Sequence, residues 1–138
     1  MKLNQRSGFT LLEIIIVIII VGVLASLALP RFFSTVEFSR STEALQNASV
    51  VRQSVERCYL GNAGTYNGCL IASIDVENPS NSPGAHFTYA ITGQTATSYT
   101  IRVRRNNVDT GDTTSEIFIE QGAAGVTRSG TGAFSGVR

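Results

Sequence analysis

Hydrophobic and polar positions divide the chain into three regimes. Phe9 to Leu29 form a block of 21 residues with one ionisable group, Glu13. From Ile14 to Leu29 no residue is charged, and only Ser26 is polar. At the α-helical rise, 21 residues span about 30 Å, the thickness of a bilayer core. Beyond Pro30 the pattern becomes amphipathic. Ala44, Ala48, Val51, Val55 and Cys58 recur at helical spacing, Leu45 widens the stripe, and Gln46, Asn47, Gln53, Glu56 and Arg57 fall largely off it. One helix is therefore predicted from Phe9 to about Tyr59, stopped by Gly61-Asn62-Ala63-Gly64. Pro30 removes an N–H and crowds the carbonyl of Ser26, so it should kink or locally unwind that helix. Gly22 weakens the same stretch. Phe32, Phe33, Val36 and Phe38 lie between the halves, facing several directions, and suit a membrane surface or neighbouring subunits.

After a loop over residues 61–85, with turn signals at Asn78-Pro79 and Ser82-Pro83, the period falls to two. Phe87-Tyr89-Ile91, Tyr99-Ile101-Val103 and Ile117-Ile119 each alternate with other residues and predict three strands, with Val126 to Arg128 as a short fourth. The Gly- and Ser-rich tail from Ser129 to Arg138 is expected to be mobile. A long helix followed by consecutive strands implies an α+β fold, the helix lying on a small antiparallel meander. The expected organisation is a leader over 1–8, a helix over 9–60 (membrane half 9–30, amphipathic half 31–60), a loop over 61–85, and the meander and tail over 86–138.

Composition sharpens this picture in two ways. Without Lys2 and Arg6 of the leader, nine basic and ten acidic side chains remain, a balance of −1. A nucleic-acid partner bound through phosphate gains no support from that balance. Two cysteines, Cys58 and Cys69, can form a disulfide if this part of the chain lies outside the cytoplasm, and are otherwise free thiols. Their spacing is unlike that of a CxxC metal or redox site.

A carboxylate in an apolar helix needs a reason, because its insertion is costly. Gly8-Phe9-Thr10-Leu11-Leu12-Glu13, preceded by a basic leader and followed by an apolar helix, resembles the N-terminus of type IV prepilins and the related pseudopilins. The resemblance covers about 30 residues of this chain. It implies cleavage between Gly8 and Phe9 by a prepilin peptidase and N-methylation of Phe9. It also implies pairing of Glu13 with a neighbouring subunit's amine, and assembly roles for Gly22 and Pro30. The implied architecture is the pilin lollipop, and the implied partners are other pilins in a homopolymer or mixed filament, the peptidase, an inner-membrane assembly platform, and the inner membrane before assembly. The C-terminal part would then be periplasmic, and later extracellular on a pilus. A secretory signal peptide fits less well, because the apolar run exceeds an h-region and Ala25-Ser26-Leu27 lies within it. A plain membrane anchor leaves Glu13 unexplained.

No cofactor, metal or catalytic set is expected. His86 has no ligand-spaced neighbour, and no G-x-S-x-G nucleophile motif occurs. Asp109, Asp112 and Glu116 have the oxygen ligands calcium favours, but the same spacing serves a hairpin turn. Arg102, Arg104 and Arg105 form a basic cluster; alternation places Arg102 and Arg104 on one strand face, read as solvated, with an anionic partner, including DNA, or the next subunit's acids as the alternative. Aromatic residues, 8% of the chain, show no stacked array that would point to electron transport. The functional expectation is a pilus subunit, major or minor. The alternatives are a pseudopilin of a type II secretion system and, less favoured, a membrane-anchored ligand-binding module such as one for DNA uptake.

Overall fold

The computed structural model describes residues 9–137. The leader over 1–8, with Lys2, Arg6 and Gly8, lies outside the described residues, as does Arg138. The structure separates into two compact units, with the boundary between Val36 and Glu37. The fold is α+β: one long helix and a four-stranded antiparallel sheet.

Helix α1 runs Leu11–Gly61, 51 residues, with Pro30 inside it. Of the kink or local unwinding expected at Pro30, the unwinding is absent, and residues 22–30 are helical throughout. The physical reason is local. Proline's fixed φ is compatible with an α-helix, and long helical runs on both sides hold the ladder around one missing bond. Gly61 is the last helical residue, not the break itself. The chain turns off at Ala63 and Gly64, both in left-handed conformation (φ 54° and 76°), and the Gly64 N–H donates to the Tyr59 carbonyl at 3.0 Å.

The sheet follows chain order: β1 (Phe87–Thr92), β2 (Tyr99–Arg105), β3 (Glu116–Gly122) and β4 (Gly125–Gly130). Register aligns Tyr89 with Val103 and Val103 with Ile117, and likewise Ile91, Ile101 and Ile119. These residues share the inner face. There they form one core with Ala44, Ala48, Val51 and Val55 of α1, the stripe that the spacing predicts. Fully buried Val51, Val55, Ile101, Val103 and Ile117 each contribute roughly 1.5–3 kcal/mol relative to exposure. A 3-10 turn at Pro79–Asn81 is capped by Asn78, whose Oδ1 accepts from the Ser80 N–H at 2.9 Å. Ser80 Oγ in turn accepts the Tyr89 N–H at 2.8 Å, engaging strand β1.

The tail departs from expectation. Ser129 and Gly130 close β4, and a 3-10 turn at Gly132–Phe134 carries Phe134 into the core, 1% exposed. Its ring meets Phe87 edge-on at 5.8 Å. Gly132 makes this approach possible: its φ is 58°, and a Cβ there would collide with Ser115.

Candidate functional site: the N-terminal helix and the latches of the C-terminal unit

In the N-terminal unit the helix starts one residue after Thr10. The Glu13 N–H donates to Thr10 Oγ1 at 3.2 Å and to the Thr10 carbonyl at 3.1 Å, and the Ile14 N–H donates to the same carbonyl at 3.3 Å. Thr10 is therefore the N-cap and Glu13 the third helical residue. Thr-x-x-Glu is the capping-box spacing, a signal readable in the sequence but missed there. Glu13 lies in the first turn, where the helix dipole favours a negative charge. Its side chain is exposed and has no hydrogen-bond or ion-pair partner among the described residues.

The helix beyond Glu13 presents Ile, Val and Leu on all sides. Leu12, Ile14, Ile18, Val21, Leu24 and Leu27 are among many apolar side chains that this chain leaves exposed. The helix contains a segment long and apolar enough to cross a membrane. A Cβ placed on Gly22 would meet nothing within 4 Å, so nothing in this chain requires a glycine there.

In the C-terminal unit, Cys58 and Cys69 are joined by a disulfide, with Cα atoms 6.0 Å apart. It ties the helix end to the following loop. Beside it lies a cluster of three tyrosines. Tyr66 lies 4.4 Å from Tyr59 and 4.7 Å from Tyr99 between ring centroids. The hydroxyls of Tyr66 and Tyr99 both donate to Glu56, at 2.9 and 2.7 Å. Burial, then the neighbouring Glu56 carboxylate, pushes the Tyr66 hydroxyl up to about 12 and raises Tyr99 further. The cluster latches helix, loop and β2 together. Across the same loop Arg57 pairs with Asp75 at 2.7 Å, and Ser54 donates to Asp75 as well. These contacts hold the Asp75 carboxyl at about 2, with Arg57 the larger cause.

The basic cluster splits by strand alternation. Arg102 and Arg104 lie on the outer face and share Glu116, at 2.6 and 3.2 Å, with Arg102 over the Phe118 ring. Arg105 does not belong to a solvated face. It is 1% exposed and grips Glu37 through Nε (3.2 Å) and Nη2 (3.1 Å). Arg40 also reaches Glu37, at 2.7 Å, and links it to Asp109 at 3.0 Å. His86 meets the same Asp109 oxygen at 3.0 Å.

Asp109, Asp112 and Glu116 do not converge. Asp109 faces His86 and Arg40, Asp112 accepts from Thr114 and Ser115, and Glu116 is taken by two arginines. Among the described residues, no group of three or more His, Cys, Asp or Glu side chains is gathered to hold a metal ion.

Residues 3–29, which hold the Gly-Phe junction and the capped carboxylate at the start of the apolar helix, match the family described as the prokaryotic N-terminal methylation motif. It is 43% identical over 63 residues to a probable minor fimbrial protein of Dichelobacter nodosus, covering 46% of this chain and 38% of that one. It is 33% identical over 57 residues to the type IV major fimbrial protein FimA of the same organism, covering 41% and 36%. It is 34% identical over 62 residues to the type II secretion system core protein G of Pseudomonas aeruginosa, covering 45% and 44%. The match thus spans less than half the length of each of these relatives. No solved structure matches the chain significantly.

Proposed function

We propose that this chain is a structural subunit of a type IV pilus, cut after Gly8, N-methylated on Phe9 and polymerised through its N-terminal helix. It has no enzymatic role in this reading. Before assembly it sits in the inner membrane with residues beyond the apolar block on the periplasmic side; after assembly it is part of an extracellular filament. The observation that carries the reading is the exposed apolar helix with an unpartnered Glu13 in its first turn, inside a methylation motif. A lipid bilayer covers such a surface before assembly, and neighbouring helices cover it afterwards. Glu13 is then the one ionisable group of the apolar block, able to set a register within otherwise non-directional contacts. The leader, membrane half, amphipathic half, loop and meander divide the work in this reading, the first two for processing and assembly and the rest for the exposed surface.

The second reading, a pseudopilin of a type II secretion system, is favoured by the similarity to core protein G. Both readings share the N-terminus. Mass spectrometry of the mature protein is expected to show a chain beginning at N-methyl-Phe9, and Gly8→Val is expected to block the cut. Intact Met1, or cleavage after Ala25 or Ala28, would overturn both. Sheared surface filaments containing this chain favour the pilus; its confinement to the periplasm, with a defect in protein export on deletion, favours the pseudopilin.

A further inference from the structure

In the C-terminal unit a cavity of about 90 Å³ lies between α1, β1 and the turn that precedes β1. Glu43 and Asn47, one helical turn apart, line it from α1; Pro79 and Pro83 line it from the turn, and His86 and Tyr89 from the start of β1. The proline side is held in place. Asn78 caps its 3-10 turn, and Ser80 Oγ accepts the Tyr89 N–H at 2.8 Å. Tyr89 is only 6% exposed, and its hydroxyl makes no hydrogen bond of proper geometry among the described residues, although Asn47 lies beside it. No side-chain polar atom there is both sealed from solvent and unpartnered, so this hydroxyl opens into the cavity. Glu43 also has no hydrogen-bond or ion-pair partner among the described residues. The basic groups nearby are spent on other carboxylates: His86 meets Asp109, and Arg40 is shared by Glu37 and Asp109.

We propose that this cavity binds a primary ammonium group on an alkyl stem, with Glu43 as its counter-ion and the Asn47 and Tyr89 side-chain oxygens as its further acceptors. A primary ammonium carries three N–H donors and no acceptor, one donor for each of these groups. A carboxylate accepting from a charged donor makes a stronger bond than it makes with a neutral one. The proline rings give the stem an apolar flank that is already in position, so little ordering is needed on binding. An anionic ligand would meet Glu43 as a like charge, and a neutral alcohol would gain nothing from it. Lys2 is the only lysine of the chain and belongs to the leader. Once cut after Gly8, a second copy therefore brings no lysine to this site. The ammonium comes from a lysine of another protein or from a free amine.

The test uses the full chain in detergent, at neutral pH and constant ionic strength, with carbon-labelled tyrosine rings. NMR follows the Tyr89 ring, assigned by its loss in Tyr89→Phe. n-Butylammonium chloride is titrated beside n-butanol, a neutral ligand with the same stem. A saturating shift is expected with butylammonium and not with butanol. Glu43→Gln, a change at an exposed position, is expected to weaken butylammonium about fivefold, the difference between a hydrogen bond to a charged and to a neutral group. Nα-acetyl-lysine methylamide, titrated separately, reproduces the shift if a protein lysine is the ligand and leaves Tyr89 unmoved if a free amine is. A butylammonium shift that does not saturate, an equal response to butanol, or unchanged affinity in Glu43→Gln would overturn the proposal.

Discussion

At the scale of single residues, Arg105 is the anchor of the C-terminal unit. Its Nη1 donates to the carbonyls of His86 and Asn106, at 3.1 and 3.2 Å, while Nε and Nη2 hold Glu37 and the guanidinium lies 5.5 Å over Phe87. A lysine has neither the planar fork nor the number of donors to replace it. Arg105→Ala is expected to destabilise by about 2–3 kcal/mol, and Arg105→Lys to recover little of that. The loss falls below that of a fully buried pair because Glu37 is partly solvated and keeps Arg40. The pH dependence has a definite sign. Arg105, and then Arg40, hold the Glu37 carboxyl below its ordinary 4.5, so its contribution is complete above that value and is lost as pH falls through the lowered one. Denaturant unfolding at pH 7 and pH 4 should show a smaller acid loss in Arg105→Ala than in wild type; an equal loss would remove Glu37 from the account. The burial of Arg105 was partly legible. Strand alternation sets it apart from Arg102 and Arg104 and aligns it with Tyr99, Ile101 and Val103. Its partner was not legible, because Glu37 lies 68 residues away.

At the scale of elements, legibility followed periodicity. The helix stripe and the first three strands were readable because half-buried elements must alternate at their own period. The tail was not, since Gly and Ser give no period, and one buried side chain, Phe134, decides its order. Phe134→Ala is expected to cost about 3–5 kcal/mol, and in hydrogen exchange to release β4 as well as the tail. Unchanged protection of β4 would make the turn a passive cover. The tyrosine latch was illegible for a different reason: Glu56, Tyr66 and Tyr99 meet only after the loop has folded back beneath its disulfide. Because Tyr66 and Tyr99 are raised above 10, their contribution is complete below pH 10 and is lost as pH rises toward 12. Ultraviolet titration should show Tyr66 and Tyr99 ionising late, together with unfolding, with Tyr89, raised by its burial, also delayed. Glu56→Gln, which keeps an acceptor but removes the charge, should bring that step to lower pH. Ionisation of all four near 10 in a folded chain would refute the latch.

At the scale of the whole molecule, two requirements meet at Glu13. If the chain is a pilus subunit as proposed, the apolar helix is covered by lipid first and by other helices later, and the carboxylate must be tolerated in both settings. Near the membrane surface it is tolerated because Glu13 lies in the first turn, close to one end of the apolar block and at the favourable pole of the helix dipole. Inside a filament the surroundings are drier, and an unpaired carboxylate is far more costly than a paired one. Cleavage after Gly8 would create the partner, an amine on Phe9, about 6 Å along the helix from its own Glu13. A neighbour staggered by about one turn would bring its amine against that carboxylate and fix the axial register. Glu13→Ala, as the only copy, is therefore expected to insert at least as well as wild type, since a charge has left the membrane. It should still be cut after Gly8 and should fail to enter filaments. Membrane level, N-terminal sequence and sheared filament content, measured on the same cultures, separate these steps. Normal incorporation would show that the carboxylate sets no register. A fall in membrane level matching the fall in filaments would place the effect on insertion or stability, and the pairing would have to be abandoned.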